Sequence, residues 1–591
     1  MTHHDIAISG QGIICAIGNN AQEVLDALKE GKSGIGEMQY LPSVHHELPV
    51  GEVKCSNAEM KQRLNLDVDS PISRSTLMGI IAVKQALEQA KVTSASGKRI
   101  LLVSGTTVAG MDMTEAFFAE MQHSDQHLEV LRHHDAGSCT EDIARYFDLF
   151  TDFTTISTAC SSAHNALILA CQMLQQGEAD IVVAGGTEAL SRFHLNGFNA
   201  LMILDHAPCR PFDADRAGLN LGEGAAYLVL ERVAHAHQRG ITPLAYISGC
   251  GNACDAYHQT ASSPNGEGAY LAMCEAIKQA RLAPTDIQYV NAHGTGTPNN
   301  DESEGVALRR VFGDHLPEVS STKGFTGHTT SASGSIDAVI CILAMRHQFV
   351  PANLGWSRPM PEGIVPSLGH DHVVLEHVLC NSFGFGGNDS SIVLSLHSDE
   401  HLVDSASLSD EASTLLEIKE LARVEITDVA ELTLLKQYVK PMATRRMGKL
   451  LKSSLLSSYQ ALQQAGIEQP DAIIMATAWG CIENSERLLT ELQEGEEMLS
   501  PTYFMQSTHN TISGNIAISL HNHGYNVTFT QKDQSLGWAL CQARLLLQSG
   551  RCRTVLVGCH DENAPLFADI MHRLGHDDIP EVHSLSIVLS C

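Results

Sequence analysis

Short β-branched and apolar runs alternate along the chain with stretches whose apolar residues recur at helical spacing. Arg99-Ile100-Leu101-Leu102-Val103-Ser104 has the length and composition of a strand, and after a helical pattern Asp180-Ile181-Val182-Val183-Ala184-Gly185-Gly186 has them again. Such alternation predicts an α/β fold with parallel sheets covered on both faces. A third run, Thr155-Ile156-Ser157-Thr158-Ala159, leads straight into Cys160 and an apolar helix ending near Gly177, which predicts Cys160 in the first turn of that helix. The pattern lapses between residues 397 and 415. There His397-Ser398-Asp399-Glu400-His401 opens an acidic, Ser-rich stretch without apolar periodicity, a predicted linker.

The pattern also repeats across that linker. The segment from Ala159-Cys160-Ser161-Ser162 through Gly177 to Ile181-Val182-Val183-Ala184-Gly185 has a counterpart running from Lys532-Asp533-Gln534-Ser535 through Gly550 to Val555-Leu556-Val557-Gly558. The spacing from Cys160 to Gly177 equals that from Asp533 to Gly550, and upstream Lys84-Gln85-Ala86-Leu87 pairs with Tyr459-Gln460-Ala461-Leu462. This is the signature of a duplication. Residues 416–591 are therefore predicted to be a structural relative of the first part, keeping only a portion of it.

At 591 residues and 63.8 kDa the chain exceeds one ordinary core and predicts three or four globular units. Its 43% hydrophobic and 18% charged composition is that of a folded chain. With 38 basic and 68 acidic residues the net charge is −30, which argues against a nucleic-acid partner but leaves room for an acidic protein docking on a local basic patch. Met1-Thr2-His3-His4-Asp5 runs into Ile6-Ala7-Ile8-Ser9 without the features of a signal peptide, and no apolar run reaches the roughly 18 residues of a membrane span. Sixteen cysteines without CxxC spacing read as reduced thiols. Together these predict a cytoplasmic protein. The glycine clusters lack the spacing of a phosphate cradle, so no cofactor is expected; Cys250, Cys254 and His258 lack a fourth ligand, so neither is a metal.

The predicted place of Cys160 has chemical value. Backbone N–H groups and the positive end of a helix favour thiolate over thiol, and a thiolate can hold an acyl group as a thioester. Three further segments stand out: Val290-Asn291-Ala292-His293-Gly294-Thr295-Gly296-Thr297 after a strand, Ser321-Thr322-Lys323-Gly324-Phe325-Thr326-Gly327-His328 opening an apolar helix, and Asn381-Ser382-Phe383-Gly384-Phe385-Gly386-Gly387-Asn388 before a last strand. With Cys209-Arg210-Pro211-Phe212-Asp213, Arg216, Gly218, Gly222-Glu223-Gly224-Ala225, and Asp301 with Glu304, residues 4–396 resemble the beta-ketoacyl-acyl-carrier-protein synthases, the elongating Cys-His-His kind of the thiolase superfamily.

The resemblance implies a thiolase-like layered α-β-α-β-α fold, with residues 1–250 as the half bearing the nucleophile and 251–396 as the half bearing the histidine and lysine motifs. It implies that Cys160 takes an acyl chain from an acyl carrier protein and condenses it with malonyl-carrier protein, whose loss of carbon dioxide leaves an enolate. His293 and His328 would donate to that enolate from neutral imidazoles, with Lys323 fixing His328. The N–H groups of Cys160 and Phe385 would form the oxyanion hole, with Phe385 gating the acyl pocket on Gly384, Gly386 and Gly387. Asp301, Glu304 and Asp337 would support the site. Asp337 departs from the pattern, which has glutamate there, so its partner geometry is open. Fatty-acid, aryl polyene and polyketide-type elongation would use the same residues. The alternative is a carrier-protein-binding scaffold or malonyl decarboxylase without condensation; intact Cys160, His293, His328 and Lys323 speak against it.

In the repeat, Asp533 stands at the nucleophile position and no HGTGT or lysine–histidine motif follows, so the second copy cannot perform the same chemistry. Aspartate at a helix start predicts an N-cap. Residues 416–591 resemble the truncated chain-length-factor partners of aryl polyene type ketosynthases. They are expected to form a half-thiolase-like α/β module packed on the synthase of their own chain, shaping the distal end of the acyl tunnel. The rival arrangement is a synthase–synthase homodimer.

Overall fold

The computed structural model describes residues 5–94, 97–398, 417–497, 499–575 and 580–591, so residues 399–415 of the predicted linker lie outside the described residues. Strands β1 (Ile6–Cys15), β2 (Ile100–Gly105), β3 (Asp152–Ile156), β4 (Ile181–Glu188) and β5 (Gly224–Arg232) form one set in the spatial order β3-β2-β4-β5-β1. Next come β6 (Ala245–Cys254), β7 (Tyr289–Asn291) and β8 (Glu318–Ser320), a separate ribbon of β9 (Phe349–Val350) with β10 (His370–Asp371), then β11 (His377–Gly384) and β12 (Asn388–Ser395). Without the ribbon, this second set is ordered β8-β7-β11-β12-β6. The third, β13 (Lys419–Ile426), β14 (Ala472–Ala476), β15 (Tyr525–Phe529), β16 (Thr554–Glu562) and β17 (Val582–Ser590), is ordered β15-β14-β16-β17-β13. Each order reads third, second, fourth, fifth, first. One five-strand unit occurs three times.

The sheets are mixed, which corrects the all-parallel expectation. β2 is parallel to β3 and β4, but β5 is antiparallel to both β4 and β1. Both β1 and β5 are buried almost throughout, so they carry the continuous apolar runs that usually mark parallel strands, and periodicity does not report strand direction. Helices Ser162–Gln175 and Ser333–His347 are buried along almost their whole length and form the layer between the first two sets. Helix Arg74–Gln89 covers β1 and β5 outside, and Glu267–Gln279 covers β6 and β12. The expected division after residue 250 falls inside β6, whose start pairs with β1 through Ile6↔Ile247. The first set closes with β5 and helix Val233–Gln238, and β6 opens the second.

The third set joins the first at its free edge. β15 runs antiparallel to β3 at Phe529↔Ile156, with Ser157 N–H donating to Thr528 O at 2.9 Å and Thr530 N–H to Thr155 O at 3.0 Å. A 15-stranded sheet results, with like units facing each other across this seam. An edge strand left open is a template for foreign pairing; here the chain covers its own. Helix Ser535–Gln548 is the counterpart of Ser162–Gln175, and the turn before it repeats as well, with φ 48° at Lys532 and 51° at Ala159. Asp533 does not cap that helix: the cap position is Gln534, one residue later, and the Asp533 side chain is exposed. Among the described residues, no helix is long and apolar enough to cross a membrane.

Candidate active site

The left-handed turn at Ala159 ends β3 and swings Cys160 toward the second half. The helix begins only at Ser162, so Cys160 precedes it rather than lying in its first turn. The side chain is 5% exposed. Burial pushes the thiol up to about 12, against the lowering pull of the Phe385 N–H, the Lys323 charge and its own N–H, while Glu188 adds to the rise. This runs opposite to the expected lowering: burial outweighs what the two amides and the Lys323 charge return to the thiolate.

The second half brings the histidines to the sulfur. His328 Nε2 lies 3.0 Å from Cys160 Sγ, and the His293 ring stands edge-on to His328 with centroids 5.2 Å apart. Both imidazoles are held well below their ordinary pKa, first by burial and then by the nearby Lys323 charge, so both are neutral at pH 7. Nδ1 of each ring has no hydrogen-bond partner among the described residues. Lys323 is buried, its Nζ 3.1 Å from Asp337 Oδ2. Asp337 also accepts from the Thr322 hydroxyl at 2.8 Å and the Ser333 hydroxyl at 3.1 Å, so the shorter acid does reach the lysine.

Asp301 and Glu304 lie beneath the His293 loop, one turn apart on helix Pro298–Phe312. Glu304 accepts the N–H groups of His293 and Gly294, each at 2.8 Å, while Asp301 accepts those of Phe212 at 2.8 Å and Gly296 at 3.2 Å. They shape the loop and do not touch Cys160. Opposite, the Phe385–Gly387 turn links β11 to β12, with left-handed φ of 82° at Gly386 and 75° at Gly387. At Gly384 a Cβ would stand 2.7 Å from Thr158 O, so the turn reaches the nucleophile strand only as glycine. The Phe385 ring stacks on Phe198 at 5.6 Å.

These groups line a cavity of about 380 Å³ that holds Cys160, His293, His328 and Phe385 together. A larger one of about 770 Å³, around Asp533, Lys532 and Trp479, contains none of them. Sequence reasoning missed several neighbours. Ser382 Oγ donates to Cys160 O at 2.9 Å. Buried Glu188 accepts from Thr107 N at 2.8 Å and Ser331 Oγ at 2.6 Å. Its position repeats at Asp561, which accepts from Thr477 Oγ1 and Ala478 N, both at 2.8 Å; the duplication could have flagged both. Asn510, from the third strand set, also reaches the site, and no motif announced it.

Residues 3–236 match the family described as "Beta-ketoacyl synthase, N-terminal domain", residues 244–357 its C-terminal domain, and residues 424–581 a second N-terminal domain of the same description. The chain is 31% identical over 420 residues to "3-oxoacyl-[acyl-carrier-protein] synthase 2" of Vibrio harveyi, covering 66% of this chain and 99% of that one. Among solved structures, "The ishigamide ketosynthase/chain length factor" is 27% identical with a TM-score of 0.62, over 67% of this chain and 100% of the other. The "PfaC Keto synthase-Chain length factor" shares the fold across 99% of this chain and 78% of its own, with a TM-score of 0.80 at 16% identity.

Proposed function

The chain belongs to the beta-ketoacyl synthase family, and from that membership we propose that it condenses an acyl group held on Cys160 with malonyl-acyl-carrier protein, releasing carbon dioxide and beta-ketoacyl-carrier protein. The observation that carries this reading is the 3.0 Å approach of Cys160 Sγ to His328 Nε2 in the cavity that His293 and Phe385 share.

In the first half-reaction sulfur attacks the acyl thioester and the thiol proton ends on the departing carrier thiolate, while His328 Nε2, 3.0 Å from the sulfur, keeps the proton it donates in the second. The N–H groups of Cys160 and Phe385 face the tetrahedral oxyanion. In the second, the malonyl carbon–carbon bond breaks, carbon dioxide leaves, and the enolate oxygen accepts hydrogen bonds from His293 and His328. The enolate carbon attacks the acyl carbonyl and expels Cys160 sulfur, which takes a proton from solvent to restore the thiol. Neutral rings suit this sequence, since their hydrogen bonds strengthen only as charge develops. Burial, and after it the charge of Lys323 held by Asp337, keeps them neutral.

An acyl carrier protein as partner is supported by the name of the Vibrio harveyi relative, and the solved ketosynthase/chain length factor pairs support residues 417–591 as a built-in partner. So does the seam at β3 and β15, which occupies the edge a second synthase would use. Elongation in a fatty-acid, aryl polyene or polyketide-type pathway would employ this site. Incubating the full chain with acyl- and malonyl-carrier proteins should give beta-ketoacyl-carrier protein and carbon dioxide, and Cys160→Ala should give no condensed product. Product from Cys160→Ala would overturn the assignment.

A further inference from the structure

The peptide joining Phe385 to Gly386 is held at both ends. Its carbonyl accepts from Asn510 Nδ2 at 2.7 Å, and its N–H donates to Gln259 O at 2.7 Å. Asn510 belongs to the third strand set, and so does the residue behind Gln259: Gln259 Nε2 donates to Asn515 Oδ1 at 2.9 Å. Helix Thr511–Leu520, which Asn510 precedes, lies directly on the turn, for a Cβ on Gly514 would stand 2.9 Å from Gly386 O.

Asn510 occupies the N-cap position of that helix, where asparagine ordinarily accepts from the second or third amide. Here the side chain makes no capping bond, and its Oδ1 is buried with no hydrogen-bond partner among the described residues. Turning the amide over would set Oδ1 against the Phe385 carbonyl, acceptor to acceptor, so the bonding pattern fixes its orientation. A residue that forgoes its cap and leaves a buried oxygen unsatisfied departs from what helix stability favours. What it gains is a hold on the Phe385 turn.

We infer that Asn510 is a positioning residue supplied by the non-catalytic copy: it holds the Phe385 turn so that the Phe385 N–H faces the oxyanion at Cys160. The inference rests on the proposed condensation and gives the second copy a part in catalysis without a nucleophile. Because the turn is pinned from outside the synthase halves, the oxyanion hole is complete only when the third strand set is docked.

Asn510→Asp separates this from a structural role. Aspartate caps helices as well as asparagine does but cannot donate to a carbonyl. In the full chain, acyl transfer to Cys160 at saturating acyl-carrier should fall about tenfold or more, with KM little changed, as for a misaimed oxyanion donor. Decarboxylation of malonyl-carrier by the unacylated protein relies on His293 and His328 and should change less than about threefold. Asn510→Ala, which introduces no charge, should show the same split with a smaller loss and serves if the aspartate variant fails to fold. Transfer at the wild-type rate in a folded variant, or equal loss of both activities, would overturn the inference. A wild-type chain that never acylates Cys160 would instead refute the proposed condensation itself.

Discussion

At the scale of residues, the groups that meet at the cavity were legible because each sits in a motif of distinctive composition. Cys160, His293, Lys323, His328 and Phe385 come from segments far apart in sequence, and the fold brings them to one cavity or directly behind it. Their environments were not legible. The acidity expected of Cys160 rested on backbone N–H groups and the positive end of a helix; the helix starts only at Ser162 and the thiol is buried, which raises its pKa to about 12. A raised thiol pKa means that the thiolate fraction keeps growing as pH rises toward it. Alkylation of Cys160 by iodoacetamide, followed by peptide mass spectrometry, should therefore accelerate about tenfold per unit between pH 7 and 9 with no plateau, whereas an ordinary cysteine levels off near about 8.5. A plateau below about pH 8 would restore the helix-stabilised thiolate.

At the scale of elements, apolar spacing located strands and helices but not their directions or partners. The duplication correctly matched helix Ser162–Gln175 to Ser535–Gln548, yet the cap expected at Asp533 falls on Gln534, since a repeat shifts nothing and a single residue decides a cap. Packing between copies was invisible in sequence. Helix Arg192–Ala200 bears Phe198, whose ring stacks on that of Phe385, and its Gly197 lies against Phe504 of helix Pro501–Met505. A Cβ at Gly197 would stand 2.1 Å from the Phe504 ring, and Phe193, His194 and Phe198 surround the same ring. Gly197→Ala should cost about 1–3 kcal/mol in urea unfolding, as overpacked sites do. The same change in a Phe504→Leu background should cost clearly less, because the two residues share one contact. Equal costs in both backgrounds would mean that the helices do not meet there.

At the scale of the molecule, three copies of one five-strand unit carry two kinds of information. The first two make the layered synthase, and the third repeats the first and closes its open edge through β15. The repeat was readable from matched helix lengths, but the seam was not, because backbone pairing at an edge leaves no side-chain pattern. Asn388 Nδ2 with Asn526 O at 2.6 Å ties β15 to the second strand set, and Arg192 with Glu496 at 2.7 Å ties the third unit to the synthase beyond the seam. The molecule so described has one nucleophile per chain, Cys160, in a synthase that carries its own partner. Native mass spectrometry after incubation with acyl-carrier protein tests it most directly. A single-chain particle of 63.8 kDa plus one acyl group is expected, unmodified in Cys160→Ala and unloaded again on adding malonyl-carrier protein. A two-chain particle, two acyl groups per chain, or an acyl group retained in Cys160→Ala would contradict it.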